Sequence, residues 1–237
     1  MGESWRGWPD VEPAPLPRGT GPWIDLSHPL RADLPRIAGF DAPHIQRLRS
    51  QPADPYNLTE LRMVCHTGTH VDAPIHFIAD GPAFHDIPLA RLCGAGVVLR
   101  IRAEPFGVIG RDALAAAAPA VRPGDIVILD TGWAQHAGTP RYHEHACLDV
   151  PAAEWLVERR AKLLAVDFPT PDLAVGRRPP DFAWPVHHVL LAHGVLIAEN
   201  LTNLGALAGR RIEAFFLALN VVSGDGAPAR VVARTVA

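Results

Sequence analysis

Three histidines and one aspartate are concentrated in the segment from His66 to His76, which reads HTGTHVDAPIH. His66, His70, Asp72 and His76 all occupy even positions, and alternate positions of an extended chain share one face. Imidazole nitrogens and carboxylate oxygens are ligands that zinc, manganese and iron accept. We therefore predict that His66, His70 and Asp72 bind a divalent metal ion. The alternative is a polar turn with no ligand role.

Glycine at position 68 separates the first two histidines. In a fully extended chain the Cα atoms of His66 and His70 would lie ~13 Å apart, which is too far for one metal ion with ~2.1 Å bonds to nitrogen. Glycine adopts backbone conformations that other residues avoid. We therefore predict that the chain bends at Gly68 and brings the two imidazoles together.

His76 follows Asp72 by four positions and lies beyond Pro74. It can therefore face a water molecule at the metal without binding the metal itself. Because a free imidazole titrates near pH ~6.5, it can transfer protons at neutral pH. We predict that His76 is the catalytic proton shuttle. The alternative is that it orients a metal ligand.

A second pair of candidate ligands lies far downstream, between Val186 and Asn200. His187 begins a predicted helix, and Glu199 ends the strand that follows it. The helix runs ~9 Å out and the strand ~13 Å back, which places the two side chains near each other. A capping histidine and a solvent-exposed glutamate would have the same spacing, so the role of this pair stays open on spacing alone.

These residues need a framework, and the second half of the chain supplies most of its elements. Strands are predicted at residues 23–27, 96–101, 124–130, 162–167, 195–199 and 211–222. Helices are predicted at residues 111–118, 151–160 and 185–193. Strands that alternate with helices indicate an α/β domain with a mixed sheet. The proline-broken segment 31–57 is predicted to be a long irregular loop.

Residues 1–22 are rich in proline and glycine, and we predict that they form a flexible arm. Residues 23–237 are then a single domain. Aromatic residues Phe40 and Trp133 are candidates for the walls of a substrate pocket.

The composition excludes several classes of function. The 237 residues carry a net charge of −3, with Lys and Arg dispersed, so nucleic acid is not an expected partner. No apolar run reaches the ~20 residues of a membrane span. The three cysteines form no C-x-x-C pair, which indicates a reducing cytoplasm. The chain has no dinucleotide-binding fingerprint, Walker motif or G-x-S-x-G motif.

The histidine segment resembles the H-x-G-T-H-x-D-x-P-x-H signature of the cyclase-like metal hydrolases, a family that contains kynurenine formamidase and isatin hydrolase. Other blocks of that family are similar to residues 25–30, 124–133 and 187–204, and its closing loop is similar to residues 223–230. The resemblance implies a swivelling β/β/α domain with a mixed central sheet or barrel flanked by helices. It also implies a homodimer or a higher homo-oligomer.

The resemblance further implies roles for individual residues. In the family, the position matching His76 transfers protons. Metal is bound at the positions that match His66, His70, Asp72 and, for a second site in formamidase-like members, His187 and Glu199. The expected cofactor is therefore a divalent metal, Zn²⁺ or Mn²⁺, as one or two ions.

The expected function is a metal-dependent hydrolase acting on a small-molecule substrate. It would open or cleave a cyclic amide, a lactone or an N-acyl (formamide-type) compound with metal-activated water. A cyclase or dehydratase would use the same metal and the same histidine base, so the sequence does not separate these activities. A non-catalytic metal- or ligand-binding protein is the third hypothesis, and it has no need of the proton shuttle His76.

Overall fold

The computed structural model describes residues 3–11, 19–34, 36–37 and 39–236. Twelve strands run through these residues: β1 (Ile24–Asp25), β2 (His44–Arg49), β3 (Leu58–Arg62), β4 (His70–Asp72), β5 (Cys93–Arg100), β6 (Val108–Ile109), β7 (Ile126–Asp130), β8 (Cys147–Leu148), β9 (Leu163–Val166), β10 (Leu196–Glu199), β11 (Arg210–Ala218) and β12 (Gly226–Thr235). The α-helices are α1 (Leu89–Leu92), α2 (Arg111–Ala116), α3 (Val150–Glu158) and α4 (Pro185–Ala192). Short 3₁₀ helices occur at Pro74–His76, Phe84–Asp86, Trp133–His136, Pro140–Glu144, Val175–Arg177 and Leu204–Ala206. None of the helices in the described residues is long and apolar enough to cross a membrane.

Seven of the strands close into a mixed barrel. Their order is β12, β11, β5, β7, β9, β10 and β4, and pairing of β4 with β12 completes the ring. Strands β5, β7, β9 and β10 are parallel to one another, and parallel neighbours need crossover connections, which here include helices α2, α3 and α4. The predicted α/β fold, with a mixed central barrel flanked by helices, is confirmed.

The three-residue strand β4 closes this barrel. It runs antiparallel to both of its neighbours and pairs His70 with Glu199 of β10 and with Pro228 of β12. Residues paired directly across antiparallel strands project from the same face of the sheet. Closure of the barrel therefore places the Glu199 side chain beside that of His70.

Strand alternation divides the apolar core into two parts. In β7, Ile126 and Ile128 belong to a buried cluster that contains residues of all seven barrel strands. Val127 and Leu129 point the other way and belong to a cluster with side chains of α3 and α4. Because both faces of these parallel strands are covered, their sequences are nearly continuous apolar runs, which made them predictable.

Each predicted strand and helix has a counterpart in the described residues, but two other predictions are wrong. The segment 31–57 is not irregular throughout, because β2 and β3 form an antiparallel hairpin whose first strand lies inside it. Pro43 lies before β2, and Pro52 and Pro55 lie in the turn that connects the two strands. The closing loop predicted at 223–230 ends at Gly226, where β12 begins, because pairing with β4 and β11 extends the strand through Pro228.

The described part of the N-terminal segment lies against the body. The backbone N–H of Trp5 donates to Asp80 Oδ1 at 2.9 Å, and that of Arg6 donates to the Ala192 carbonyl at 2.9 Å. The rings of Trp5 and Trp8 meet edge to face with centroids 4.9 Å apart. The Arg91 guanidinium lies 5.1 Å from the Trp8 ring. Residues 3–11 are therefore docked, whereas residues 12–18 of the predicted flexible arm lie outside the described residues.

Docking of this segment predicts a stability effect for Trp8→Ala. Trp8 is half-buried against the barrel-lining cluster, so its removal should lower the free energy of unfolding by about 2 kcal/mol, roughly half the value for a fully buried tryptophan. Urea unfolding followed by circular dichroism measures the change. Ser4→Ala, at an exposed position of the same segment, should leave the midpoint unchanged. Equal midpoints for both variants and the wild type would show that the segment is loose in solution.

Candidate metal centre

A turn, and not a strand, connects His66 to His70. Only His70–Asp72 is extended, and Cys65 and His66 lie in the turn that precedes it. The prediction that the residues from 66 to 76 share one extended face is therefore wrong, but the predicted bend is confirmed, since Gly68 has a φ of +67°. This left-handed backbone brings the His66 and His70 rings to a centroid separation of 5.2 Å.

The first three candidate ligands are buried and in contact. His66 Nδ1 lies 2.7 Å from Asp72 Oδ1, and His70 Nε2 lies 3.3 Å from the same oxygen. Each of the three side chains is at most 7% exposed. The structure thus brings together His66, His70 and Asp72, as the spacing predicts, and their role as ligands stays a prediction.

The downstream pair meets the same aspartate from the other side. His187 Nε2 lies 3.6 Å from Asp72 Oδ2 and 3.5 Å from Glu199 Oε1. Glu199 Oε2 in turn lies 3.5 Å from His70 Nε2. Two groups of three possible ligand atoms result, and Asp72 belongs to both. Within each group the three atoms lie within 4.8 Å of one another. A carboxylate has two oxygens, so Asp72 can serve both groups at once.

The hydrogen bonding of His70 supports a cation in this place. His70 Nδ1 lies 2.7 Å from the Gly68 carbonyl oxygen, and since a carbonyl only accepts, Nδ1 carries the proton and Nε2 of the neutral ring does not. Nε2 is buried and has no hydrogen-bond partner in the described part of the chain. It faces carboxylate oxygens of Asp72 and Glu199 instead. The lone pair of His70 Nε2 cannot bond to a carboxylate oxygen, whereas a divalent cation between them binds the nitrogen and the oxygens. The donor set therefore fits zinc or manganese.

The charges of the site point the same way. Burial raises the pKa of Glu199, the nearby His187 opposes this, and the charge of Asp72 adds to the rise. Burial would also raise the pKa of Asp72, but the charge of His66, its hydrogen bond to Asp72 and the nearby imidazoles of His187 and His70 hold it well below its usual value. Two carboxylates are therefore buried side by side, and positive charge must compensate them.

Asp172 fixes the orientation of His187. Its Oδ2 lies 2.5 Å from His187 Nδ1, and its carboxylate accepts the backbone N–H groups of Val186 and His187 at 3.1 and 3.0 Å. Nδ1 therefore carries the proton, and Nε2 is left to face Asp72 and Glu199. Asp172 was not predicted from sequence, because an isolated Asp in a loop before the helix carries no signal of this contact.

His76 lies at the edge of the cluster, in the 3₁₀ helix Pro74–His76. Its ring stacks on that of His66 with a centroid separation of 3.9 Å, and its side chain is 24% exposed. Burial lowers the pKa of His76 to about 4, the charge of Asp72 opposes this fall and that of His66 adds to it, so the ring is neutral at pH 7.

Asp225 is a further residue that sequence reasoning missed. Its Oδ2 lies 3.0 Å from His66 Nε2 and 3.4 Å from His76 Nδ1, and these three residues form another group with metal-ligand spacing. The similarity of residues 223–230 to the closing loop of the family was the available signal. His76 can therefore act as a proton shuttle assisted by Asp225 or as a ligand, and the shuttle role stays a prediction.

A cavity of about 340 Å³ opens onto the cluster. The candidate ligands His66, Asp72, His187 and Glu199 line it together with His76, and the remaining lining residues are Ile37, Phe40, Phe77, Thr170, Val175, Arg178 and Trp184. The Phe77 ring contacts that of His187 with centroids 4.6 Å apart. Phe40 lines this pocket as predicted, whereas Trp133 is buried in the helix-facing core and does not.

The sequence of this chain is similar to those of known proteins. A family described as Cyclase, "Putative cyclase", matches residues 24–173. The chain is similar to the kynurenine formamidase of Salinibacter ruber, with 32% identity over 197 residues, or 78% of this chain and 84% of that protein. It is also similar to the kynurenine formamidase of Bordetella petrii, with 30% identity over 214 residues, or 89% of this chain and 96% of that protein.

Solved structures share the fold. Isatin hydrolase A from Ralstonia solanacearum has a TM-score of 0.79 and 23% identity, and the match covers 90% of this chain and 91% of that chain. A protein described as a potential metal-dependent hydrolase with cyclase activity has a TM-score of 0.75 and 24% identity, and the match covers 90% of this chain and 98% of that chain. At these identities the structural likeness shows the fold alone.

The conformation of Gly68 predicts that Gly68→Val weakens metal binding although it removes no ligand. A Cβ at this position would meet Leu34 Cδ2 at 2.3 Å, and a φ of +67° is strained for a β-branched residue. We expect the dissociation constant for zinc, measured by competition with a chromophoric chelator, to rise ~10–100-fold, as for loss of a partner that orients a ligand.

Gly138→Val is the matched control for this change. Gly138 also has a positive φ, of +83°, but a Cβ there meets nothing within 4 Å. This variant carries the backbone strain without disturbing the turn between His66 and His70, so its zinc affinity should match that of the wild type. Wild-type affinity in a folded Gly68→Val protein would refute the role given to the bend.

Proposed function

Because the chain belongs to the cyclase-like metal-dependent hydrolase family, we propose that it hydrolyses the C–N bond of a small N-acyl (formamide-type) amine or cyclic amide. One observation carries the proposal: two groups of buried candidate ligands share Asp72 at the floor of a pocket with aromatic walls. The relatives named kynurenine formamidase and isatin hydrolase support this bond type.

The ligand atoms would bind one or two divalent ions. His66, His70 and Asp72 form one position, and His187, Asp72 and Glu199 form the other. Zn²⁺ or Mn²⁺ bound there supplies a Lewis acid that polarises a carbonyl and lowers the pKa of water to about 7. Asp72 holds the two positions together, and Asp172 keeps His187 in the required orientation.

His76 is the proposed proton shuttle. Its neutral ring lies over His66 at the mouth of the cluster, where it can take a proton from the attacking water and return it to the leaving nitrogen. The Asp225 carboxylate, 3.4 Å from His76 Nδ1, stabilises the charged ring between these two transfers. Proton transfer by a positioned group contributes ~10²–10⁴-fold to the rate.

The pocket favours a flat, aromatic substrate. Phe40, Phe77 and Trp184 form its walls, and aromatic faces stack on planar rings. The cavity of about 340 Å³ accommodates a small molecule. The guanidinium of Arg178 lies 5.5 Å from the Trp184 ring, and its charge favours a substrate with an anionic group. An aryl formamide or an aryl-fused cyclic amide that also carries an anionic group satisfies these features.

His70→Ala and His76→Ala, compared on the same substrates, test the proposal. The wild type should contain zinc or manganese and should hydrolyse aryl formamides or aryl-fused cyclic amides faster than lactones. His70→Ala should lose metal and activity together. His76→Ala should keep the metal but lose ~10²–10⁴-fold in turnover.

Several results would contradict this assignment. A metal-free His76→Ala protein would make His76 a ligand, and equal metal in the wild type and His70→Ala would remove His70 from the ligand set. Ring closure or dehydration without hydrolysis would point to a cyclase or dehydratase. Bound metal with no turnover on any substrate would point to a binding protein.

We also propose that the protein acts in the cytoplasm as a homodimer. All residues of strands β2 and β3 are exposed, and an isolated two-stranded hairpin is marginally stable in water. Ile45 and Leu61 are directly paired in it and over 40% exposed. An apolar groove of about 520 Å³ lies beside the hairpin and is lined in part by Leu61, Leu217 and Leu219. A second copy of the chain would cover these surfaces.

Ile45→Asp combined with Leu61→Asp should therefore yield a monomer. Two charges on the apolar face of the hairpin cannot be buried unpaired in an interface. Light scattering coupled to size-exclusion chromatography measures the mass. Leu89→Asp, which changes an 80%-exposed leucine outside the hairpin, should stay dimeric. A monomeric wild type, or a dimeric double variant, would refute this arrangement.

A further inference from the structure

We propose that Asn200 and Tyr142 are positioning residues, which hold His70 in the tautomer that presents Nε2 to the metal. This inference rests on the proposed function, in which His70 is a metal ligand. It assigns a role to a buried hydrogen-bond chain that runs from the core to the metal centre and includes neither a ligand nor a group that touches substrate.

The hydrogen-bond chain ends on the carbonyl oxygen of Gly68. This oxygen accepts from His70 Nδ1 at 2.7 Å and from the side-chain amide of Asn200, Nδ2, at 3.1 Å. Gly68 lies in the left-handed turn of the site, so the direction of its carbonyl depends on what holds that turn. The Asn200 amide fixes the carbonyl, and the carbonyl fixes the proton of His70 on Nδ1.

Tyr142 determines which way the Asn200 amide points. Its hydroxyl donates to Asn200 Oδ1 at 2.9 Å, so Oδ1 is turned towards Tyr142 and Nδ2 towards Gly68. Burial raises the pKa of Tyr142 well above its usual value, and the hydroxyl therefore keeps its proton. The Tyr142 carbonyl accepts from Trp133 Nε1 at 3.0 Å, and this bond holds the tyrosine backbone in place.

Asn200 also holds the turn through its backbone. Its carbonyl accepts from the Thr69 hydroxyl at 2.7 Å, and its own φ of +59° is a conformation that asparagine tolerates better than most residues. It directly follows Glu199, which faces His70 Nε2. One residue thus links the carboxylate of the second ligand group to the imidazole of the first.

A purely structural role for these hydrogen bonds predicts different results from a positioning role. Loss of a buried hydrogen bond lowers stability anywhere in a core, but only a positioning role changes which nitrogen of His70 binds metal. Asn200→Asp separates the two, because it keeps the size and the acceptor facing Tyr142 and replaces the N–H donor with an oxygen. Its added negative charge would by itself raise affinity for a cation, so a fall must come from the lost donor.

The experiment uses zinc-loaded protein with ¹⁵N-labelled histidine. Zinc affinity is measured by chelator competition, and imidazole ¹⁵N shifts report which nitrogen of His70 carries the proton. Asn200→Asp should weaken zinc binding ~10–100-fold and should lose the Nδ1–H signature of the wild type. Asn200→Gly, which removes the side chain without strain at positive φ, should do the same. Tyr142→Phe should show a smaller loss in the same direction.

Ile109→Val serves as the control for stability. Ile109 is fully buried in the same core cluster as Tyr142 but has no part in the hydrogen-bond chain. This variant should lower the thermal midpoint and leave zinc affinity and the His70 spectrum unchanged. Wild-type affinity and an intact Nδ1–H signature in Asn200→Asp would overturn this inference alone. A wild-type protein that binds no divalent metal would overturn the proposed function as well.

Discussion

The carboxylate of Asp72 is the group on which the rest of the site depends. It is almost completely buried and lies within 3.6 Å of imidazole nitrogens of His66, His70 and His187. A charge in such a place is tolerated only when it is paired and hydrogen-bonded. The surrounding structure supplies these partners from the turn before β4, from β4 itself and from helix α4, which lies more than 100 residues further along the chain. The burial of one carboxylate thus fixes the relative positions of β4, β10 and α4.

The orientation of the histidines requires a second set of contacts. Each imidazole has two nitrogens, and only one can face the centre while the other is fixed elsewhere. His187 donates to Asp172, and His70 donates to the Gly68 carbonyl. The orientation of the imidazole is therefore fixed by a carboxylate for His187 and by a backbone oxygen for His70. In both cases the supporting group comes from a loop that is anchored in the core.

Prediction from the sequence succeeded where the signal is local. His66, His70 and Asp72 lie close together in the chain, and the buried strands are recognisable as apolar runs. His187 and Glu199 were only weakly indicated by spacing, since their approach to Asp72 depends on how β4 inserts beside β10. Asp172, Asp225 and Asn200 were missed, because single polar residues in loops carry no pattern. β12 was missed, because its pairing with β4 and β11, and not an alternating apolar pattern, specifies it.

The position of β4 also sets an order of events during synthesis. This three-residue strand leaves the ribosome early, yet both of the strands that flank it in the barrel, β10 and β12, come from the last part of the chain described here. Its side chains therefore spend most of translation without the neighbours that complete the cluster, and long-range pairing of this kind is slow to form. A nascent chain that ends before α4 carries His66, His70 and Asp72 but lacks the other two candidate ligands, His187 and Glu199. The full set of candidate ligands is consequently assembled late, after β10 and β12 have closed the barrel around β4.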